Sequence, residues 1–194
     1  EILMKIARTY LKSGINDVAQ KNLEEIVAKF PNYSPAYKDL YEIYFSNRLY
    51  TKGTPLLSKY VELVGTDIDA RARLVRFLTY NAKDYERAVK EALTVLQQDP
   101  ARGEMYRWLA WAYYEKSAAM TNKDEAKAIF QESLNSSKLF FEKEPARKKY
   151  TSDYEYYAKA AARLEEMDVA AANYMKVMEM DSTRTEVYDM IGKM

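Results

Sequence analysis

Residues 84–114 read DYERAVKEALTVLQQDPARGEMYRWLAWAYY, two helical patterns laid end to end. In the first, Ala88 and Ala92 recur at helical spacing and Asp99-Pro100 closes the run. In the second, Tyr106, Leu109-Ala110 and Tyr113 follow the same logic. Tyr113 has counterparts in Tyr10 and Tyr44, with Ile6-Ala7 and Leu40-Tyr41 three to four residues upstream, just as Leu109-Ala110 precede Tyr113. The spacing is a period of about 34 residues, the signature of a helix–turn–helix solenoid. Each block is followed by a second helical pattern ending near Pro31, Gly65 or Pro100. A period of this kind points to a function class, because such arrays bind and organise other proteins.

Composition agrees. Hydrophobic residues make up 48% of the 194, enough to bury a continuous core. Five glycines and five prolines are too few for a turn-rich all-β fold. Lys+Arg total 30 against Asp+Glu 29, so no global basic field exists to attract nucleic acid or anionic lipid. The absence of cysteine excludes disulfides, thiolate zinc sites and thiol nucleophiles. No apolar run approaches the ~20 residues needed to cross a bilayer. The chain opens on Glu1-Ile2 without the charged and apolar regions of a signal peptide, and 185–194 reads as the first half of another repeat. The expectation is a piece of something longer.

The pattern resembles the tetratricopeptide repeat. That unit carries an aromatic, Leu-Gly or Leu-Ala and then Tyr in its first helix. Its second helix carries Ala, a large apolar residue, a small residue and a terminal Pro. The resemblance covers essentially the whole chain. It implies an all-α fold, a right-handed α-α superhelix of about five helix–turn–helix repeats plus a partial sixth, in a single array. The repeats fall at about 1–33, 34–67, 68–102, 103–150, 151–184 and, in part, 185–194.

The first repeat pairs helices over 2–11 and 16–30, with Gly14 at the turn and Ala19, Leu23 and Ile26 on one face. Ser34-Pro35 opens the second as N-cap and first helical residue, and Tyr37, Leu40, Tyr41 and Tyr44 form its inner face. Its second helix spans 51–64, with Gly53 in the small-residue position and Pro55 early enough to need no hydrogen-bonded N–H. The third has a degenerate first helix (Leu74, Val75, Leu78), capped by Asp67 and Asp69. The fourth is stretched: Asn122-Lys123-Asp124-Glu125 is a capped restart, and the helix runs through Leu139-Phe140-Phe141 to Pro145. Residues 146–151 form an exposed connection, Ser152 and Glu155 a further capping box, and 142–151 is the best place for a break. The fifth carries Tyr154, Tyr157-Ala158, Ala170, Tyr174 and Val177.

Chemistry is sparse. There is no histidine, and no GxxxxGK[ST] or GxGxxG phosphate loop. Adjacent acids such as Glu24-Glu25 and Glu165-Glu166 point ~100° apart on a helix and do not form a carboxylate pair. The expectation is no catalytic residue, no metal site, no cofactor and no enzyme. Arg147-Lys148-Lys149 reads as a solvated loop and not a nucleic-acid contact. Most of the 18 tyrosines belong to packing.

In solenoids of this resemblance the first helices line a concave groove. Carried over, that face holds Met4, Arg8, Leu11 and Lys12, then Lys38, Glu42 and Phe45, then Arg76, Thr79 and Tyr80. It continues with Arg107, Trp111 and Tyr114, then Glu155, Lys159 and Arg163. The expected peptide-binding set is Arg8, Lys38, Phe45, Arg76, Tyr80, Arg107, Trp111, Tyr114 and Lys159. Arg and Trp dominate interface energetics, and Arg forks pair carboxylate. Chaperone-binding members clamp a terminal carboxylate with Lys and Asn on the first unit and Asn on the second. Here Met4 and Arg8 stand in the first and Glu42 in the second, a departure that argues against that mode.

The expected partner is a protein or peptide held in the groove. The alternatives are an architectural scaffold acting through its convex face or array ends, including self-association through a truncated end, or the recognition arm of a larger protein. The tyrosine- and lysine-rich texture, as in 84–88 and 152–157, also resembles cell-envelope tetratricopeptide proteins of Bacteroides-type Gram-negative bacteria. That resemblance implies a periplasmic or outer-membrane-associated setting.

Overall fold

The computed structural model describes residues 1–192 and contains, among them, helices and connections but no strand. Two compact units emerge, Glu1–Lys83 and a second beginning at Asp84. The first holds α1 (Ile2–Lys12), α2 (Asn16–Lys29), α3 (Ser34–Ser46), α4 (Tyr50–Val64) and α5 (Ile68–Phe77), then a π-turn, Leu78–Ala82. The second holds α6 (Tyr85–Gln98), α7 (Met105–Ala118), α8 (Lys123–Lys143), α9 (Thr151–Arg163), α10 (Met167–Met180) and α11 (Glu186–Gly192). The sixth repeat is thus represented by α11, and the last two residues of its expected span lie outside the described residues. The division falls after Lys83, whereas the sequence places any break at 142–151.

The third repeat departs from the period at this point. Asn16 and Tyr50 open second helices one period apart, but Tyr85 opens the next one residue late. A single inserted residue is what a π-turn absorbs, and it does so at 78–82. Lys83 then takes a left-handed φ of 55° and ends the helix. The left-handed residue recurs two positions before each of four second helices: Gly14, Arg48, Lys83 and Glu165. Only the first is the glycine that such a conformation favours.

In the first unit α1 packs on α2, α2 on α3, and α3 on α4. Met4, Ala7, Ala19, Leu23, Ile26, Ala36, Leu40, Ile43 and Tyr44 close into one core. Ala7 and Ala19 are fully buried, so the helices approach closely there. Burying a side chain such as Leu23 or Leu40 stabilises by about 2 kcal/mol. Beside this core lies an aromatic cluster: Phe45 meets Phe77 at 4.1 Å, Tyr50 at 5.8 Å and Tyr41 at 5.6 Å. Gly53 makes it possible, because a Cβ there would stand 2.4 Å from the Phe45 ring.

In the second unit α7 packs on α8, α9 on α10, and α6 and α9 both on α7. Leu134, Ala158, Ala160, Ala161, Ala170, Tyr174, Val177 and Val187 form its core. Helix α8 buries Ser133, Ser136 and Ser137 alongside Phe130, Leu134 and Phe140. The Ser133 hydroxyl donates to the Ala110 carbonyl at 2.7 Å.

Several local expectations need correction. Helix α3 begins at Ser34 with Tyr33 as its N-cap, so Ser34 is inside the helix and makes no cap bond. Helix α4 begins at Tyr50, which puts Pro55 inside it, beyond the orphan N–H groups of the first turn. The cap of α9 is not made by Ser152 and Glu155. Instead Asp153 reaches back to accept the Tyr150 N–H at 2.7 Å. The Asp67 and Asn122 caps stand as expected, accepting from Ala70 N–H and from the N–H groups of Asp124 and Glu125.

Candidate functional site

First helices are tied to first helices by polar bridges in both units. In the first, Arg8 of α1 donates to Asp39 of α3 at 2.7 Å. Arg73 of α5 donates to Glu42 of α3 at 2.5 Å, with its guanidinium 4.8 Å from the Phe45 ring centre. Both pairs are 31 residues apart, with the charges exchanged. The hydrogen bond from Arg8 to Asp39, then their charges, hold the guanidinium above its ordinary range. Lys38 lies 3.6 Å from Asp67 and over the Tyr60 ring, and Tyr60, then Asp67, raise its pKa. Burial pushes the Asp67 carboxyl up, but hydrogen bonds from the Ala70 N–H and the Tyr60 hydroxyl, with Lys38, outweigh it and hold the group low.

Of the residues expected to line the groove, Arg8 and Lys38 are on this face, each engaged by a carboxylate. Arg76 is exposed one turn beyond Arg73, its guanidinium 4.7 Å from the Phe77 ring centre. Tyr80, on the π-turn, is 62% exposed. Phe45 is different: it is buried at the centre of the aromatic cluster and presents little surface. Met4 is likewise a core residue, which leaves no polar group where a terminal-carboxylate clamp would begin.

In the second unit Arg107 holds Asp153 through both carboxylate oxygens, at 2.7 and 2.9 Å. It also donates to the Lys148 carbonyl and lies over the rings of Phe140 and Tyr150. It is a latch between α7, the 144–150 connection and α9, not an open ligand contact. Trp111 is half-buried and stacks on Tyr156 at 4.8 Å, with Trp108 at 6.3 Å on α7. Tyr114 packs against Phe130 and Tyr156. Lys159 pairs with Glu155 at 2.5 Å and leans over Tyr114 and Tyr156. Arg184 reaches the same Glu155 at 3.1 Å. Tyr156 donates to Glu115 at 2.7 Å; burial first, then that carboxylate, drives its hydroxyl pKa far up.

The basic run at 147–149 is not a free loop. Arg147 pairs with Glu144 at 2.9 Å and Glu104 at 3.5 Å. Lys149 donates to the carbonyls of Glu144 and Arg147, above Phe140 and Phe141, and burial lowers its pKa. The run closes the end of α8.

The bridging partners Asp39, Arg73, Asp153 and Glu115 are absent from the sequence-derived set. The 31-residue spacing of opposite charges, three short of the repeat, is the signal that could have found the first two. Among the described residues no group of His, Cys, Asp or Glu is placed to hold a metal, and no helix is long and apolar enough to cross a membrane.

No protein-family model and no curated protein matches the chain. Solved structures do. A structure of YrrB, described as a TPR protein with an unusual peptide-binding site, aligns with TM-score 0.69 at 11% identity, over 97% of this chain and 89% of that one. A crystal structure of MamA aligns at 0.65 and 16% identity, over 95% and 93%. MamA from Desulfovibrio magneticus RS-1, from residue 41 to its end, aligns at 0.62 and 17%, over 94% and 95%. Identities this low speak for fold alone. The chain therefore shares the all-α helical-repeat fold of tetratricopeptide-repeat proteins.

Proposed function

We propose that the chain is a non-enzymatic interaction module that holds a segment of a partner protein on the faces of its first helices. One observation carries the reading: these faces combine charged side chains with aromatic floors, as at Arg76 and Tyr80 in one unit and Trp111, Tyr114 and Lys159 in the other. Arg, Trp and Tyr are the side chains on which interface energies concentrate. That YrrB is described as having a peptide-binding site supports the same reading.

The test is selection of a displayed peptide library on the chain. Enriched peptides should lose binding to an Arg76→Ala, Tyr80→Ala, Lys159→Ala variant that keeps its helicity. They should bind undiminished to a variant altered at Lys90 and Leu93 on α6, a second helix. Equal binding to the first variant would overturn the reading.

A second reading, assembly through an array end, has one observation in its favour. Ile2, Leu3, Ile6, Phe30 and Tyr33 are exposed together, several of them around a hollow of about 800 Å³. Sedimentation at rising concentration, with Ile2→Lys and Phe30→Lys as the disrupting pair, tests it. The cell-envelope setting belongs to the same proposal and is tested by fractionating cells that make the protein.

A further inference from the structure

We infer that the first-helix face of residues 1–83 takes an internal acidic segment of a partner protein, one bearing several Asp or Glu side chains, and not a free C-terminal carboxylate. The inference rests on the reading of this face as a binding surface and adds the chemistry of what it binds.

Several charges on this face are already paired. On α3 and at the cap of α5, Asp39, Glu42 and Asp67 each hold a cation, namely Arg8, Arg73 and Lys38. Lys5 and Lys12 stand three and four residues either side of Arg8, on the same face of α1, and both are exposed. Arg76 stands one turn beyond Arg73 on the same face of α5. None of these three cations has a carboxylate partner among the described residues. Arg76 is braced by the Phe77 ring, and Tyr80, one turn further, adds a largely exposed aromatic.

The excess is local. Basic residues outnumber acidic ones across 1–83 and the reverse holds from Asp84 onward, so the overall charge of +1 conceals two oppositely charged halves. A stretch of one sign raises the local concentration of an oppositely charged segment and speeds its capture.

Spacing then separates a run of carboxylates from a single terminal one. A terminal carboxylate wants two donors that converge on it. The guanidiniums that could converge, Arg8 and Arg73, are held by acids, and Met4 is buried. The open cations lie on α1 and on α5, with α3 bridging between them. Two helix-to-helix steps of about 9 Å each are spanned by about six extended residues. Carboxylates distributed along such a segment meet both ends of the face.

The test is fluorescence anisotropy with an amidated Glu/Asp-rich peptide of about ten residues, its Gln/Asn counterpart amidated, and that counterpart with a free C-terminus. The acidic peptide should bind about tenfold or more tightly than either, and the difference should shrink in salt. Lys5→Gln, Lys12→Gln and Arg76→Gln should each weaken it about threefold, the scale of one exposed charge contact. Lys90→Gln on α6 should leave it unchanged. Equal affinity for the neutral peptide overturns the acidic preference while leaving a peptide-binding face intact. Preference for the free C-terminus overturns the internal-segment reading. A single-stranded RNA that binds more tightly and is weakened by the same variants overturns the assignment of a protein partner. No measurable binding of the acidic peptide overturns the inference as well; the library selection on the same chain then shows separately whether the face binds peptide at all.

Discussion

Arg107 and Asp153 form a two-pronged ion pair between α7 and the start of α9, with oxygen contacts of 2.7 and 2.9 Å. The side chains are 12% and 2% exposed, so this is an interior pair that a groove position was expected to occupy. The other Asp153 contact caps α9 through the Tyr150 N–H, and the other Arg107 contact pins the Lys148 carbonyl. A stretched repeat needs such a latch, because its long connection has few apolar side chains to bury.

Removing one partner leaves the other buried and uncompensated. Arg107→Ala should therefore destabilise the protein by about 3–5 kcal/mol. Arg107→Lys should recover little, since an ammonium cannot reproduce the planar fork. Urea unfolding measures both. Arg8→Ala is the comparison: its pair with Asp39 is half exposed and should cost below about 1 kcal/mol. Similar losses for Arg8 and Arg107 would show that burial does not separate them.

Gly53 and Phe45 are a second coupled pair. A Cβ at 53 would stand 2.4 Å from two atoms of the Phe45 ring. Alanine improves helix propensity by about 1 kcal/mol, which alone would stabilise. Overpacking against a ring locked between Phe77 and Tyr41 should reverse the sign, for a net cost of about 1–2 kcal/mol. In a double-mutant cycle with Phe45→Leu, Gly53→Ala should become neutral or stabilising. A cost for Gly53→Ala that is unchanged by Phe45→Leu would place the clash elsewhere.

These pairs mark the limit of what the sequence makes legible. Helices and core follow from local pattern: Ala19, Leu23, Ile26, Tyr44, Ala88 and Ala92 are all buried as their spacing requires. The step from Pro31 to Gly65 is one residue shorter than that from Gly65 to Pro100, so even the inserted residue of the π-turn leaves a trace. The fate of individual first-helix residues does not follow. Arg76 and Arg107 both fall on the stripe read as groove-facing, one turn apart in repeat register. Only Arg107 meets a carboxylate, 46 residues away in a repeat whose length departs from the period. Phe45 reads as a groove residue, and what buries it is Phe77 from the next repeat and the missing side chain at 53.

Tyr44 supplies a pH-dependent prediction. Its hydroxyl donates to Glu24 at 2.6 Å; that bond first, then burial, pushes its pKa from 10 up to about 12. The folded state therefore keeps a proton that the unfolded chain has lost. The resulting stabilisation is full below about pH 10 and disappears as pH rises to about 12. Tyr44→Phe should remove that part of the alkaline dependence. Unfolding free energies between neutral pH and pH 12 check it, and an unchanged alkaline slope in the variant would rule the Tyr44–Glu24 bond out as its source.

The left-handed turn residues give the last prediction. Gly14, Arg48, Lys83 and Glu165 occupy the same place, two residues before a second helix, with φ between 55° and 73°. For a residue with a Cβ this conformation costs about 1–2 kcal/mol, which glycine avoids at the expense of a more flexible unfolded chain. Arg48 is exposed, and a Cβ at Gly14 would meet nothing within 4 Å, so backbone conformation alone distinguishes the two sites. Arg48→Gly should therefore stabilise by about 0.5–1 kcal/mol, and Gly14→Ala should destabilise by a similar amount. Glu165→Gly should follow Arg48→Gly, because its turn repeats the same geometry. Chemical denaturation of the three variants decides the matter. Destabilisation by both glycine substitutions would mean that the native side chains at 48 and 165 contribute more than the strain they bear.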